Sequence, residues 1–233
     1  MYKITNKEEL LKIDIGFFLE DIPPEEILKW LGLLDAYWQH SGDPKMPHAV
    51  LRSGRHSSGF ADWMQLLSYP KLCYIVANQL VRKLRANGLE EVHWVIGSAY
   101  AAIDFSKDVA ALLGARHGFT EKGEGDKMLW KRHTIQKGEI VLQADELITT
   151  TGTLIRVREG INEGNAVQPV EYASLVGVLH NRSDQEEFER ARIISVVDKK
   201  FREWVAGQCE LCDEGSEPIK EPKKNWAKLT GKA

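Results

Sequence analysis

Three cysteines in 233 residues cannot build an even disulfide framework, and so sparse a thiol content fits a reducing, cytoplasmic setting. No apolar run approaches the roughly 20 residues that cross a bilayer, so no membrane association is expected. The segment Met1–Lys12 is charged and lacks the apolar centre of a signal peptide. Neither sign of charge dominates: 31 basic residues face 34 acidic ones, for a net charge of -3. Bulk electrostatics therefore give no reason to expect nucleic-acid binding. No internal repeat is visible. What remains is an ordinary globular composition, long enough to bury a full core as one domain with extensions or at most two.

The patterning alternates. Ile22-Pro23-Pro24-Glu25-Glu26 opens a helix with good start signals. Its apolar residues predict that it runs to about Gln39 and is apolar nearly all round, as at a subunit contact. Pro70 to Arg85 reads as a helix with Leu72, Val76, Leu80 and Leu84 in line, closed by Asn87-Gly88. Strands are expected at 92–96, 115–119, 140–144, 172–179 and 193–197, with helices at 100–113 and 153–163. Strands separated by helices argue for a mostly parallel sheet covered on both faces, with ligands beyond the carboxyl ends of the strands. The residues after Cys209, rich in Lys, Glu and Pro, read as a loosely packed tail.

The most informative stretch is Val141-Leu142-Gln143-Ala144-Asp145-Glu146-Leu147-Ile148-Thr149-Thr150-Thr151-Gly152-Thr153. An apolar strand ends in two acids, a hydroxyl-rich turn follows, and a helix begins. The first turn of a helix has unpaired N–H groups and partial positive charge, so it receives phosphate, and the Thr hydroxyls add donors. Two carboxylates would repel that phosphate. They suit sugar hydroxyls or a ligand-borne metal ion. A phosphate cradle beside a diol clamp asks for a ribose 5-phosphate. Read blandly, the same residues make an ordinary strand–turn–helix with a Thr N-cap.

Four further segments bear on a site. Gly97-Ser98-Ala99-Tyr100-Ala101-Ala102-Ile103 also follows a strand and opens a helix, as an anion loop or a plain turn. The glycine-bearing charged loop after Phe119-Thr120-Glu121-Lys122 leads to Met128-Leu129-Trp130-Lys131-Arg132. It reads as a flap over a ligand or as solvated surface. Arg182 follows a strand end and has the guanidinium that pairs bidentately with a carboxylate, or it is a surface arginine. Leu51-Arg52-Ser53-Gly54-Arg55-His56-Ser57 is a strand edge and basic turn. Cys209-Glu210-Leu211-Cys212 offers half a zinc site, but no second pair lies nearby in the chain and the seven histidines show no metal-ligand spacing. It is read as structural or incidental, or at most as shared across a dimer, and no protein-held metal is expected.

The Asp145-to-Thr153 segment resembles the phosphoribosyl-pyrophosphate (PRPP) signature of type I phosphoribosyltransferases, with Thr151 where that family usually has Gly. The other segments, in order from about Pro47 to Cys212, resemble the orotate phosphoribosyltransferases. The resemblance implies an α/β type I phosphoribosyltransferase fold with an N-terminal helical or hood extension. The expected organisation is 1–46 extension, 47–205 transferase domain and 206–233 tail. It implies a pentosyltransferase that joins the phosphoribosyl group of PRPP to orotate, giving orotidine 5'-monophosphate and pyrophosphate, in pyrimidine biosynthesis. It implies Mg²⁺ carried mainly by PRPP, and a homodimer. In the implied catalytic set Asp145 and Glu146 hold the ribose hydroxyls, with Lys122. The 5'-phosphate falls to Thr149, Thr150, Thr151, Gly152 and Thr153. Tyr100, Ala101, Lys131, Arg132 and Arg52 line the rest of the PRPP site. Arg182, Ser53 and Thr149 meet the base. The sequence departs from the family at Ala101, where Lys is usual, at Ala102, at Asn181 and at Thr151. A PRPP-binding protein without turnover, or a transferase for another base, therefore stays open.

Overall fold

The computed structural model describes residues 4–18 and 20–232, with the side chains of Phe17 and Phe18 excepted. The first three residues of the expected extension and the last of the tail fall outside that range. The chain forms two compact units. One comprises Asp14–Pro24 and Leu67–Lys199, the other Met1–Ile13, Glu25–Leu66 and Lys200–Ala233.

The first of these is built on five parallel strands, here β1 (Trp94–Gly97), β2 (Arg116–Phe119), β3 (Ile140–Ile148), β4 (Leu175–Asn181) and β5 (Ala191–Asp198). Their order across the sheet is β2-β1-β3-β4-β5, with Glu187–Phe188 antiparallel beyond β5. The order reverses between β1 and β3, which is where open α/β sheets bind ligands. The main helices are α1 (Pro70–Ala86), α2 (Ile103–Leu113) and α3 (Gly152–Gly164).

Period-two alternation covers both faces of the sheet. Val176 and Val178 pack in one cluster with Leu154 of α3, whereas a Cβ at the intervening Gly177 would meet Leu80 of α1 at 2.8 Å. Leu72, Val76, Leu80 and Leu84 are all buried, as their spacing predicts. Gly88, with φ +83, follows the Asn87 cap and ends α1. Buried Gln143 of β3 ties strand to helix: its amide donates to Leu154 O at 3.1 Å and its carbonyl accepts from Arg158 Nε at 2.6 Å. The expected flexible loop at 123–127 is the tip of a hairpin in which Glu121–Lys122 pairs with Met128–Leu129. Gly160 lets α3 close on that hairpin, since a Cβ there would lie 2.1 Å from Met128 O.

In the other unit the expected long helix is two elements. The helix Pro24–Leu33 stops where Asp35 turns to φ +54 and Ala36 N–H donates to Leu31 O at 3.0 Å. Tyr37–Gln39 then pairs antiparallel with Gly59–Ala61. The apolar girdle was a helical face and a strand face read as one helix, so it gives no argument for a subunit contact. The tail is also packed rather than loose: Pro218–Ile219 pairs with His48–Ala49, and Leu211, Ile219 and Leu229 are buried. No helix among the described residues is long and apolar enough to cross a membrane.

Candidate active site

β1 and β3 are in register at Ile96 and Gln143. β1 ends one residue later, while β3 continues against β4 as far as Ile148 opposite Asn181. Asp145 and Glu146 therefore stand on a strand whose neighbour has just left, at the mouth of the switch point. Gly97 is required at the exit of β1, because a Cβ there would lie 2.4 Å from Ser106 Oγ of α2. Ser98 follows and donates its hydroxyl to Asp145 Oδ1 at 3.0 Å, and Glu146 N–H donates to the same oxygen at 2.9 Å.

Burial pushes the Asp145 carboxyl above its ordinary range. Burial, and then the charge of Asp145, push Glu146 up to about 9. Both shifts favour the protonated forms, and a divalent cation at the pair would oppose them.

These acids line a cleft of about 250 Å³ together with Ser98, Ala101, Lys122, Thr153 and Arg156. Lys122 Nζ sits 5.5 Å from the ring centre of Tyr100, a residue 66% exposed. The Ala99–Tyr100 peptide is cis. Thr149 and Thr150 are exposed at the end of β3, and Thr151 occupies the N-cap position of α3 without a side-chain capping hydrogen bond. Of this loop Thr153 reaches the cleft wall. The departure at Thr151 is harmless to the backbone: its φ is -75, where a β-branched residue fits without the cost of a left-handed site.

Arg182 is half-buried, and its N–H donates to Ile148 O at 2.8 Å, so it leaves β4 beside the threonine turn. Asn181 shapes that exit. Its side-chain oxygen accepts from Ser183 N–H at 2.9 Å and its amide donates to Gln185 O at 3.0 Å. Two expected PRPP ligands point elsewhere. Arg132 pairs with Glu121 at 2.7 Å and Lys131 lies 3.7 Å from the same carboxylate; neither lines the cleft. Arg52 and Ser53 are exposed in the turn after His48–Val50, in the other unit.

Arg156 is a residue the sequence reading missed. It lies three positions after Thr153, hence on the same helix face. Its guanidinium donates to Thr153 Oγ1 at 3.4 Å, and its Nε is buried without a hydrogen-bond partner among the described residues. The spacing from Thr153 was the available signal.

The chain is 30% identical over 175 residues to an orotate phosphoribosyltransferase of Thermoanaerobacter sp., covering 74% of this chain and 87% of that one. The chain belongs to the orotate phosphoribosyltransferase family. An orotate phosphoribosyltransferase of Nitratiruptor sp. is 28% identical over 196 residues, covering 80% of this chain and 96% of that protein. No protein-family model matches. Among solved structures, the orotate phosphoribosyltransferase of Aeropyrum pernix aligns with TM-score 0.55 at 21% identity, over 74% of this chain and 93% of its own. UMP synthase of Leishmania donovani aligns with TM-score 0.53 at 20% identity, over 78% of this chain and 37% of its own. At these identities the structures speak for the fold: the α/β type I phosphoribosyltransferase architecture expected from the sequence.

Proposed function

We propose that the protein transfers the phosphoribosyl group of PRPP to orotate, forming orotidine 5'-monophosphate and pyrophosphate. The observation that carries this reading is the placement of the adjacent Asp145 and Glu146 carboxyls at the switch point, beside the N-terminus of α3. The pair binds the two ribose hydroxyls, while Thr149 to Thr153 and the first turn of α3 hold the 5'-phosphate. Tyr100, Lys122 and Arg156 face the pyrophosphate. Arg182 takes the orotate carboxylate as a bidentate partner. The reacting carbon takes on oxocarbenium character, so the residues work by positioning and by charge placement. The hard carboxylate oxygens of Asp145 and Glu146 would suit a divalent ion carried by PRPP, whose charge would offset that of the leaving pyrophosphate. Three free cysteines support a reducing, cytoplasmic setting. The proposal includes a homodimer, which light scattering at micromolar concentration tests directly.

The deciding experiment is an assay of pyrophosphate release from PRPP against a panel of bases. Turnover with orotate well above uracil, adenine and hypoxanthine is expected. Binding of PRPP without turnover on any base would overturn the enzyme reading. Preference for another base would overturn the orotate reading.

A further inference from the structure

The unit that holds the chain's C-terminal residues contains a second cluster of chemistry. Its four-stranded sheet runs Glu203–Trp204, His56–Ser57, His48–Val50, Pro218–Ile219. Residues 205–217 join the two outer strands, so this connection has to cross the two middle ones. Val50 stands opposite His56 and His48 is two residues before Val50, so both imidazoles share one sheet face. The connection brings Cys209, the N-cap of the short helix Glu210–Asp213, and Cys212 within that helix against those imidazoles.

The hydrogen bonding fixes which atoms meet. The Ser216 hydroxyl donates to Met46 O at 2.6 Å and so has no second proton to give. Its contact with His48 Nδ1 at 2.8 Å therefore requires the proton to sit on Nδ1, which leaves Nε2 with a bare lone pair. On that lone pair converge His56 Nδ1 at 2.9 Å, Cys209 Sγ at 3.6 Å and Cys212 Sγ at 3.6 Å. Cys212 Sγ is also 3.3 Å from His56 Nδ1. One lone pair accepts one donor, so hydrogen bonding explains one of these approaches and not three. A single central ion accounts for the convergence: the two sulfur contacts to His48 have the length of its tetrahedral edges, and the contacts of His56 are tighter by a few tenths of an ångström. Tetrahedral zinc, with bonds of about 2.05 Å to nitrogen and about 2.3 Å to sulfur, sets N···S edges of about 3.6 Å and N···N edges of about 3.3 Å. The four ligand atoms all lie within 4.8 Å of one another, and His48, His56 and Cys209 are buried.

We propose that His48, His56, Cys209 and Cys212 bind one Zn²⁺ in a closed, structural Cys₂His₂ site. Four protein ligands leave no open position for substrate, and paired thiolates with imidazoles select zinc over hard cations. The ion pins residues 205–217 across the sheet and fixes the turn bearing Arg52 and Ser53, which is strung between the two histidines. Its binding free energy becomes folding free energy of this unit. The proposal is independent of the reaction assigned above.

The test uses the full chain, expressed with zinc in the medium and purified under reducing conditions without chelator. Elemental analysis is expected to give about one zinc per chain in the wild type and less than about a tenth of that in C209S/C212S. A chelator should lower the melting temperature of the wild type and leave that of the variant unchanged. Should the variant fail to fold, the cobalt-exchanged wild type decides: it should show a thiolate-to-cobalt charge-transfer band and intense tetrahedral d–d bands. A folded wild type that holds no metal with both thiols free to alkylation would overturn the site. So would zinc retained at full content by C209S/C212S, or a cobalt spectrum lacking the thiolate band.

Discussion

The Ser98 hydroxyl on the loop after β1 donates to Asp145 on β3 at 3.0 Å, and this bond bridges the two strands between which the sheet reverses its order. It holds a buried carboxylate oxygen in place beside Glu146. Ser98→Ala should leave that oxygen with the Glu146 N–H alone, raise the pair further, and move the acidic limb of the kcat/KM profile to higher pH. A loss of about five- to tenfold at neutral pH is expected, with recovery toward alkaline pH. An unshifted profile would show that Ser98 does not tune the pair.

The pair should trade stability for binding. A carboxyl whose folded pKa is raised is stable below its unfolded value of 4.5, and its burial costs progressively more as pH rises toward the folded value of about 9. Glu146→Gln removes that cost. It should melt higher than wild type by roughly 2–4 °C per kcal/mol recovered, with the gap widening from pH 5 to pH 9, while turnover collapses. Melting curves across pH in both proteins check this. A gap that narrows at high pH would contradict the assignment.

Ligand binding carries the same proton in the opposite direction. PRPP with its metal needs the ionised pair, so binding should release a proton near neutral pH and tighten as pH rises. Titration calorimetry in two buffers of different ionisation enthalpy reads the release. Enthalpies identical in both buffers would mean that the pair does not titrate on binding.

The central sheet was legible because period-two and period-3.6 patterns there are long and cleanly punctuated: Leu72, Val76, Leu80 and Leu84 on α1, and Gly88 and Gly114 after their helices. The helix expected to reach Gln39 failed because Asp35 in the left-handed region is invisible to a hydrophobic pattern, and the apolar strand after it continues the count. The acids and the threonine turn were readable because they are contiguous in the chain. The pairing of His48 and His56 with Cys209 and Cys212 was not, because it is made by sheet order across about 150 residues rather than by ligand spacing. The salt bridges that turn Lys131 and Arg132 onto Glu121 were equally hidden, since nothing local says which of several cations faces a cleft.

Arg156 should compensate for the family lysine missing at Ala101. Both residues line the cleft, and the Arg156 Nε is buried without a hydrogen-bond partner among the described residues. A charge-assisted contact to phosphate is worth about 1.5–3 kcal/mol, so Arg156→Ala should raise the KM for PRPP at least about tenfold, with Arg156→Lys recovering part of it. An Arg156→Ala enzyme with wild-type PRPP kinetics would remove it from the site.

Arg182 should decide the base. Its backbone is fixed beside the threonine turn by the bond to Ile148 O, and Asn181 sets the direction of the chain there through Ser183 and Gln185. Of the bases available to such a site, orotate alone brings a carboxylate, and truncating one partner of a buried charge pair costs about 2–5 kcal/mol. Arg182→Ala should therefore cut kcat/KM for orotate by at least about tenfold, with PRPP affinity nearly intact. The wild type should favour orotate over uracil by a similar or larger factor. The variant should narrow that gap by losing orotate rather than by gaining uracil, because removing a cation takes away an attraction without building a new pocket. Arg182→Lys should restore little, since an ammonium keeps the charge and loses the bidentate geometry. If Arg182→Ala leaves orotate kinetics untouched, or if uracil serves the wild type as well as orotate does, the orotate assignment falls while the phosphoribosyl half of the site stands on Asp145, Glu146 and the turn that follows them.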